Sequence, residues 1–90
     1  MFIKEMAILS TSNILNINNL SETVEMTVTE SDSMPRHIVI VGDLELSLDA
    51  TNWSRETLSI DFTKESTQKI FIKPATGLDS GSGTITVEEI

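Results

Sequence analysis

Strict alternation of apolar and polar residues recurs along this chain, and it constrains the fold more than any other feature of the sequence. The alternating stretches are Val24–Thr29, Leu44–Asp49, Leu58–Thr63 and Thr84–Glu88. A period of two places one set of side chains in a core and the other in water, so each stretch predicts a half-buried β-strand. Ile and Thr occur eleven times each, against three Ala, and β-branched residues favour sheets over helices. The chain is therefore predicted to be all-β.

Three further stretches complete the set of predicted strands. Ile38–Val41 and Gln68–Lys73 contain apolar runs that do not alternate. Such runs are typical of central strands covered on both sides, or of strands whose outer face meets a partner. Leu15 and Ile17, flanked by Asn residues, form a shorter candidate. About seven short strands with turns between them predict an antiparallel β-sandwich or a small barrel.

Turn residues separate these strands. Gly42-Asp43 is a tight-turn dipeptide between Val41 and Leu44, and Pro74 ends a strand because it has no N–H to donate. Asp79–Gly83 forms a loop before the last strand. We assign residues 11–90 to one domain and treat residues 1–10 as a separate N-terminal segment.

The first ten residues carry apolar side chains without a clear place in the core. We predict that five of them bind a partner: Phe2, Ile3, Met6, Ile8 and Leu9. Two interpretations stay open, namely a first edge strand and an arm that docks on a neighbouring subunit. Lys4 and Glu5 interrupt the segment, which is too short and too charged for a signal-peptide core. We therefore expect synthesis in the cytoplasm without export.

Charge and cysteine content exclude several classes of function. The 90 residues include 14 acidic and 6 basic side chains, which gives a formal net charge of −8, and there is no Cys. Proteins bind nucleic acids and anionic membranes through clustered Lys and Arg, so neither is expected as a partner of this acidic chain. The lack of Cys excludes disulfides and thiolate metal sites. No cofactor is predicted.

No arrangement of residues predicts catalysis. His37 is the only histidine and stands at the start of a predicted strand, without a nucleophile elbow anywhere in the chain. The acidic turns Glu30–Asp32 and Asp79–Gly83 offer oxygen ligands, but they lack the spacing of a calcium-binding loop. We predict solvated turns there, no metal site, and a protein that is not an enzyme.

Trp53 has two interpretations. Burial of a tryptophan contributes several kcal/mol at ~25 cal/mol per Å², which favours a place in the core. An exposed tryptophan beside polar side chains instead stacks on sugar rings and anchors a carbohydrate site. That site would consist of Asn52, Trp53 and Arg55.

The second half of the chain resembles the immunoglobulin-like β-sandwich modules of the hydin-type and BACON-like group. The resemblance rests on HIVIVGDLELSL from His37 to Leu48, on Asn52-Trp53-Ser54, and on QKIFIKPATGLDSGSGTITV from Gln68 to Val87. It covers most of Leu15–Val87. The chain departs from antibody-type domains because it has neither Cys nor Tyr, so it cannot form their inter-sheet disulfide or their tyrosine corner.

The resemblance implies an adaptor role. Such modules occur in bacterial cell-surface and carbohydrate-active proteins, in ciliary proteins, and as decorations on phage particles. A single module that begins at Met1 and carries no export signal looks more like a virion component than a surface adhesin. The expected partner is a capsid protein or another virion protein, with self-association as a further expectation. A carbohydrate-binding or adhesion module is the alternative.

Overall fold

The computed structural model describes residues 4–5, 14–30, 34–60 and 67–89, with side chains from residue 14 onward. These residues form eight strands: β1 (Lys4–Glu5), β2 (Ile14–Leu20), β3 (Val24–Thr29), β4 (Arg36–Gly42), β5 (Leu44–Ser47), β6 (Leu58–Ile60), β7 (Thr67–Pro74) and β8 (Gly81–Glu89). None of the described residues belongs to a helix, so no helix that could span a membrane occurs among them.

Two four-stranded sheets contain all of these strands. Sheet I has the order β1-β3-β7-β5, and sheet II has the order β2-β8-β4-β6. Neighbouring strands run antiparallel, except that β1 runs parallel to β3 with Lys4 opposite Val24. The predicted all-β sandwich is confirmed. About seven strands were expected, and the two-residue β1 brings the number in the described part of the chain to eight.

The core lies between the two sheets and takes alternate side chains from most strands. Met26 of β3 lies opposite Ile70 of β7, and Ile38 of β4 lies opposite Val87 of β8. All four side chains are fully buried, which contributes roughly 1.5–3 kcal/mol for each. The buried cluster consists of Ile17, Val24, Met26, Val28, Ile38, Leu44, Leu46, Ile60, Ile70, Ile72, Ile85 and Val87.

Gly42 and Asp43 join strands of different sheets. Strand β4 belongs to sheet II and β5 to sheet I, so the dipeptide crosses the rim of the sandwich instead of closing a hairpin. Gly42 has a φ of 114°, and a Cβ there would meet the carbonyl oxygen of Ser82 and lie 2.7 Å from the Cα of Gly83. The Asp43 N–H donates to that same Ser82 oxygen at 3.0 Å. The predicted turn is confirmed, and its contact with β8 requires glycine.

Strand β5 departs from the predicted alternation. Its residues Leu44, Glu45, Leu46 and Ser47 are all buried, so the prediction that Glu45 and Ser47 face water is wrong. The chain after β5 folds back along this strand, and Ser54 exchanges two backbone hydrogen bonds with Leu46, at 2.8 and 2.9 Å. This pairing covers the edge of β5 that faces away from β7. The buried polar side chains of Glu45 and Ser47 are hydrogen-bonded to Thr76 and Asp49.

Candidate functional site

The outer surface of sheet II consists of alternate residues from its four strands. We name this surface the sheet II face, and three rows of residues in register cross it. The first row is Ser59, His37 and Glu88, the second is Val39, Thr86 and Ile14, and the third is Val41, Thr84 and Asn16. Their chain neighbours Ile38, Ile85 and Val87 are fully buried, as the pleat of a strand requires. Ile14 and Val41 are each 62% exposed. The face is thus an array of mostly β-branched and small polar side chains.

Charge is distributed unequally between the two outer surfaces of the sandwich. Glu88 is the only one of the nine residues of the sheet II face with a formal charge at neutral pH, although the chain carries −8. Sheet I instead carries an ion pair between Lys69 Nζ and Glu25 Oε1, at 3.3 Å, together with Lys73. Removing water from charged groups costs free energy. Covering the sheet II face with another protein therefore costs less desolvation free energy than covering the outer surface of sheet I.

His37 lies in the first row of this face, between Ser59 and Glu88. The three residue types are those of a nucleophilic triad, which requires hydrogen bonds from the nucleophile to the base and from the base to the acid. No hydrogen bond joins His37 to Ser59 or to Glu88. The row therefore consists of three side chains with no hydrogen bonds among them, and it lacks the contacts that would activate Ser59.

Trp53 is half-buried and lies outside the core cluster. The interpretation of Trp53 as a core residue is therefore wrong. Because Ser54 pairs with the buried Leu46, Trp53 next to it faces the outer side of sheet I. There the ammonium nitrogen of Lys73 lies 4.7 Å from the centroid of the indole ring, a cation–π contact.

Asn52 and Arg55, the other residues of the predicted carbohydrate site, also have partners within the protein. Asn52 Nδ2 donates to Asp49 Oδ2 at 2.8 Å. Arg55 Nη2 lies 3.6 Å from Asp43 Oδ1. A sugar that stacked on the ring face under Lys73 would have to displace that lysine, so the geometry adds no support to a carbohydrate site.

Asp49 organises the segment that carries Trp53. Its Oδ1 accepts hydrogen bonds from the backbone N–H groups of Asn52 and Thr51, at 2.8 and 2.9 Å, and from the hydroxyl of Ser47, at 2.8 Å. These donors, with the Asn52 N–H first, hold the pKa of Asp49 well below its usual range. The charged carboxylate thus fixes the fold of this loop.

Glu45 is held by Thr76 on the loop after β7. The hydroxyl and the backbone N–H of Thr76 donate to Glu45 Oε1 at 2.6 and 2.9 Å. The pKa of Glu45 is lowered, first by the Thr76 hydroxyl and then by its N–H, with smaller contributions from Lys73 and Arg55; burial opposes this shift. Glu45 is therefore a charged structural group and not a proton donor at neutral pH.

A buried ion pair joins the end of β3 to the start of β4. Arg36 Nη2 lies 3.6 Å from Glu30 Oε2, and Arg36 Nη1 donates to the carbonyl oxygen of Met34 at 2.9 Å. An open cleft of about 460 Å³ lies beside it, lined by Met34, Pro35, Arg36 and Glu89. Because the guanidinium already holds chain segments together, we assign it a structural role.

The residues predicted to form an N-terminal docking segment, Phe2, Ile3, Met6, Ile8 and Leu9, lie outside the described residues. Within the first ten residues, the structure describes the backbone of Lys4–Glu5 at the edge of sheet I. In the part of the chain that is described, no group of three or more acidic or histidine side chains is placed to hold a metal ion.

The sequence indicates the sheet II face only in part. The run Ile38–Val41 does not alternate, which indicates either a central strand covered on both sides or an outer face that meets a partner. The rows that continue to Thr86 and Ile14 depend on which strands pair. The chain matches no protein-family model, no curated protein and no solved structure. The immunoglobulin-like resemblance therefore stays a prediction.

Proposed function

We propose that this protein is a non-enzymatic structural module that docks on a larger protein assembly through the sheet II face. The finer proposal is a virion component, such as a capsid decoration or another accessory protein, made in the host cytoplasm. The nearly uncharged sheet II face is the observation that carries the docking role. The virion role rests on the resemblance of Leu15–Val87 to immunoglobulin-like modules.

The side chains of this face suit a protein contact. Ile14 and Val41 are 62% exposed, and burial of apolar surface contributes about 25 cal/mol per Å². Val, Ile and Thr are stiff at χ1, so they lose little conformational freedom when a partner covers them. The acidic residues elsewhere keep unassembled copies soluble.

The area of the sheet II face limits how strongly a single copy can bind a partner. With strands ~4.8 Å apart and alternate residues ~6.8 Å apart, three rows over the sheet cover roughly 14 by 14 Å. A standard interface covers about 800 Å² on each partner, so the sheet II face alone supports only a weak contact. Firm attachment then requires either many copies on a repeating lattice or a second contact beside the face.

We propose no catalytic role for the row that contains the single histidine. His37 has no hydrogen bond to Ser59 or Glu88, its neighbours in register. In a nucleophilic triad the base is hydrogen-bonded to the nucleophile and oriented by a third group, and the contacts of His37 do not support that role.

Mass spectrometry of purified particles from the source of the sequence tests the virion role. We expect this chain to co-purify with the major capsid protein through a density gradient, in a constant ratio across the particle fractions. A chain that remains in the soluble fraction of the lysate and is absent from every particle fraction contradicts the virion role.

A pair of variants tests the docking surface. Val41→Glu places a charge in the sheet II face, whereas Leu78→Glu places the same charge on an exposed apolar residue outside it. We expect Val41→Glu to weaken attachment to particles at least tenfold and Leu78→Glu to leave it unchanged, with both variants folded by circular dichroism. Equal attachment of the two variants would exclude the sheet II face.

A further inference from the structure

The edges of the two sheets differ in how well they are protected against pairing with another chain. In sheet I, β1 is the two-residue strand Lys4–Glu5, and at the opposite edge the backbone of Leu46 in β5 is paired with Ser54. In sheet II, the edge strand β6 pairs with β4 from Leu58 to Ile60, and residues 61–66, which follow it, lie outside the described residues. Short length, charge and cover are the usual ways in which natural proteins protect an edge.

In the described part of the chain, strand β2 has none of these protections along its first half. Its seven residues Ile14–Leu20 include no charged residue and no proline, and within the described residues no strand pairs with the edge that faces away from β8. The register with β8 shifts between Ile17 and Leu20, where Asn19 has a φ of 51°. The bulge disrupts the second half of the strand, and Ile14–Ile17 remains regular.

The geometry of Ile14–Ile17 defines what an added strand would contact. Unpaired N–H and C=O groups on an edge strand bind an extended segment through backbone hydrogen bonds. Leu15 and Ile17 face the core side of the sheet, whereas Ile14 lies on the sheet II face. A strand with β-branched side chains on both sides would therefore extend the core on one side and the sheet II face on the other.

Acidic residues flank both ends of this edge. Glu22 follows the end of β2, and Glu88 and Glu89 lie on β8 beyond Thr86, which is the partner of Ile14. All three glutamates are exposed, and β2 and β8 contain no Lys or Arg. The edge of a second copy carries the same glutamates and no Lys or Arg, so it offers no positive charge to neutralise these flanks. A strand with basic ends would neutralise both flanks.

We infer that the edge of β2 at Ile14–Ile17 binds an extended segment of another protein that has β-branched residues in its centre and Lys or Arg at its ends. This inference rests on the proposed docking function and names the partner segment and the second contact that the small sheet II face requires. The added strand joins sheet II as a fifth strand beside β2.

Titration with synthetic peptides, followed by amide NMR of the full chain, tests this inference. The probe is an eight-residue peptide of alternating Thr and Val with Lys at both ends. One control has Glu at both ends, and a second has N-methyl groups on its central amides. We expect the Lys-ended peptide to shift the amides of Ile14–Ile17 saturably and to protect them from hydrogen exchange. It should bind at least tenfold more tightly than the Glu-ended peptide, and the N-methylated peptide should not bind.

Charge reversal provides a matched control on the protein. In the double variant Glu22→Lys and Glu88→Lys, we expect the Glu-ended peptide to become the tighter ligand. Three results overturn the inference: no saturable shift at Ile14–Ile17, equal affinity for both peptides, or the same shifts on raising the protein concentration alone, which identifies a second copy as the occupant.

The two experiments distinguish failure of the β2 inference from failure of the proposed function. Attachment to particles without peptide binding overturns the β2 inference and leaves the docking function standing. Peptide binding at β2 by a protein that is absent from particles overturns the virion role and leaves the β2 site standing.

Discussion

Thr76 donates both its hydroxyl and its backbone N–H to one carboxylate oxygen of Glu45, at 2.6 and 2.9 Å, although Glu45 stands at a position where alternation places a residue in water. Glu45 as a whole is only 6% exposed. Two hydrogen bonds from Thr76 replace the water that Glu45 loses, which explains how a charged residue is tolerated in a fully buried strand.

Replacement of Glu45 tests how much this contact stabilises the fold. Glu45→Gln retains the shape of the side chain but removes the charge, and we expect the free energy of unfolding to fall by about 1–3 kcal/mol, since hydrogen bonds to charged groups are the stronger ones. Urea unfolding measures the loss. The exposed Glu22→Gln serves as the control and should change stability by less than about 0.5 kcal/mol. Equal effects of the two substitutions would contradict the role of Thr76.

Acid should destabilise the protein through Glu45 and Asp49. Both carboxyls have a lowered pKa in the folded state, Glu45 first through the Thr76 hydroxyl and Asp49 first through the Asn52 N–H. A group with a lowered folded-state pKa binds fewer protons when folded, so its stabilisation is complete above the unfolded-state pKa of about 4 and is lost as the pH falls through the folded-state value.

The free energy of unfolding of the natural protein, measured in urea from about pH 6 down to about pH 2, is therefore expected to decrease below about pH 4. Asp49→Asn should make this decrease smaller, because the variant has already lost the charge that acid removes. Asp79→Asn, in an exposed loop, is the control and should retain the natural slope. An Asp49→Asn slope as steep as that of the natural protein contradicts the prediction.

Two glycines separate backbone strain from steric contact. Gly42 and Gly77 both have positive φ, 114° and 95°, but a Cβ on Gly42 would meet the backbone of Ser82 and Gly83, whereas a Cβ on Gly77 has nothing within 4 Å. We expect Gly77→Ala to cost roughly 1–3 kcal/mol from backbone strain, and Gly42→Ala to cost more because β8 must also move. Urea unfolding of both variants measures the two losses in stability. Equal losses would show that steric contact with the β8 backbone adds nothing to the strain at Gly42.

The environment of Trp53 can be measured directly. Lys73 lies over the indole ring, so we expect acrylamide to quench Trp53 fluorescence to an intermediate extent and Lys73→Gln to increase the quenching. Loss of the cation–π contact should lower stability by about 0.5–1 kcal/mol. Lys69→Gln, on the same strand but paired with Glu25, is the control and should leave the quenching unchanged. A blue shift of the emission on adding oligosaccharides would instead support the carbohydrate interpretation.

Much of the local structure follows from residue patterns alone. Alternation at Val24–Thr29 correctly predicts β3 with the same bounds, and the apolar runs at Ile38–Val41 and Gln68–Lys73 lie within β4 and β7. Pro74 ends its strand as expected. These predictions succeed because side-chain alternation and turn chemistry act over a few residues and depend little on the rest of the chain.

The candidate sites are less accessible from sequence. The sheet II face joins residues as distant as Ile14, Val39 and Thr86, and the burial of Glu45 depends on Thr76, 31 residues away along the chain. Trp53 likewise lies beside Lys73 only because Ser54 pairs with Leu46. Each of these contacts requires knowledge of which strands are neighbours.

The sequence by itself determined that this protein is all-β, where most of its strands lie, and which side of most strands is apolar. The tertiary structure decided the order of strands in each sheet, the transfer of the chain between sheets at Gly42, and the position of β2 at an edge of sheet II among the described strands. The physical reason is that a strand's own residues specify its two faces but not its neighbours. The cost of closing a loop rises only slowly with loop length, so distant partners compete with near ones and packing of the whole core selects among them.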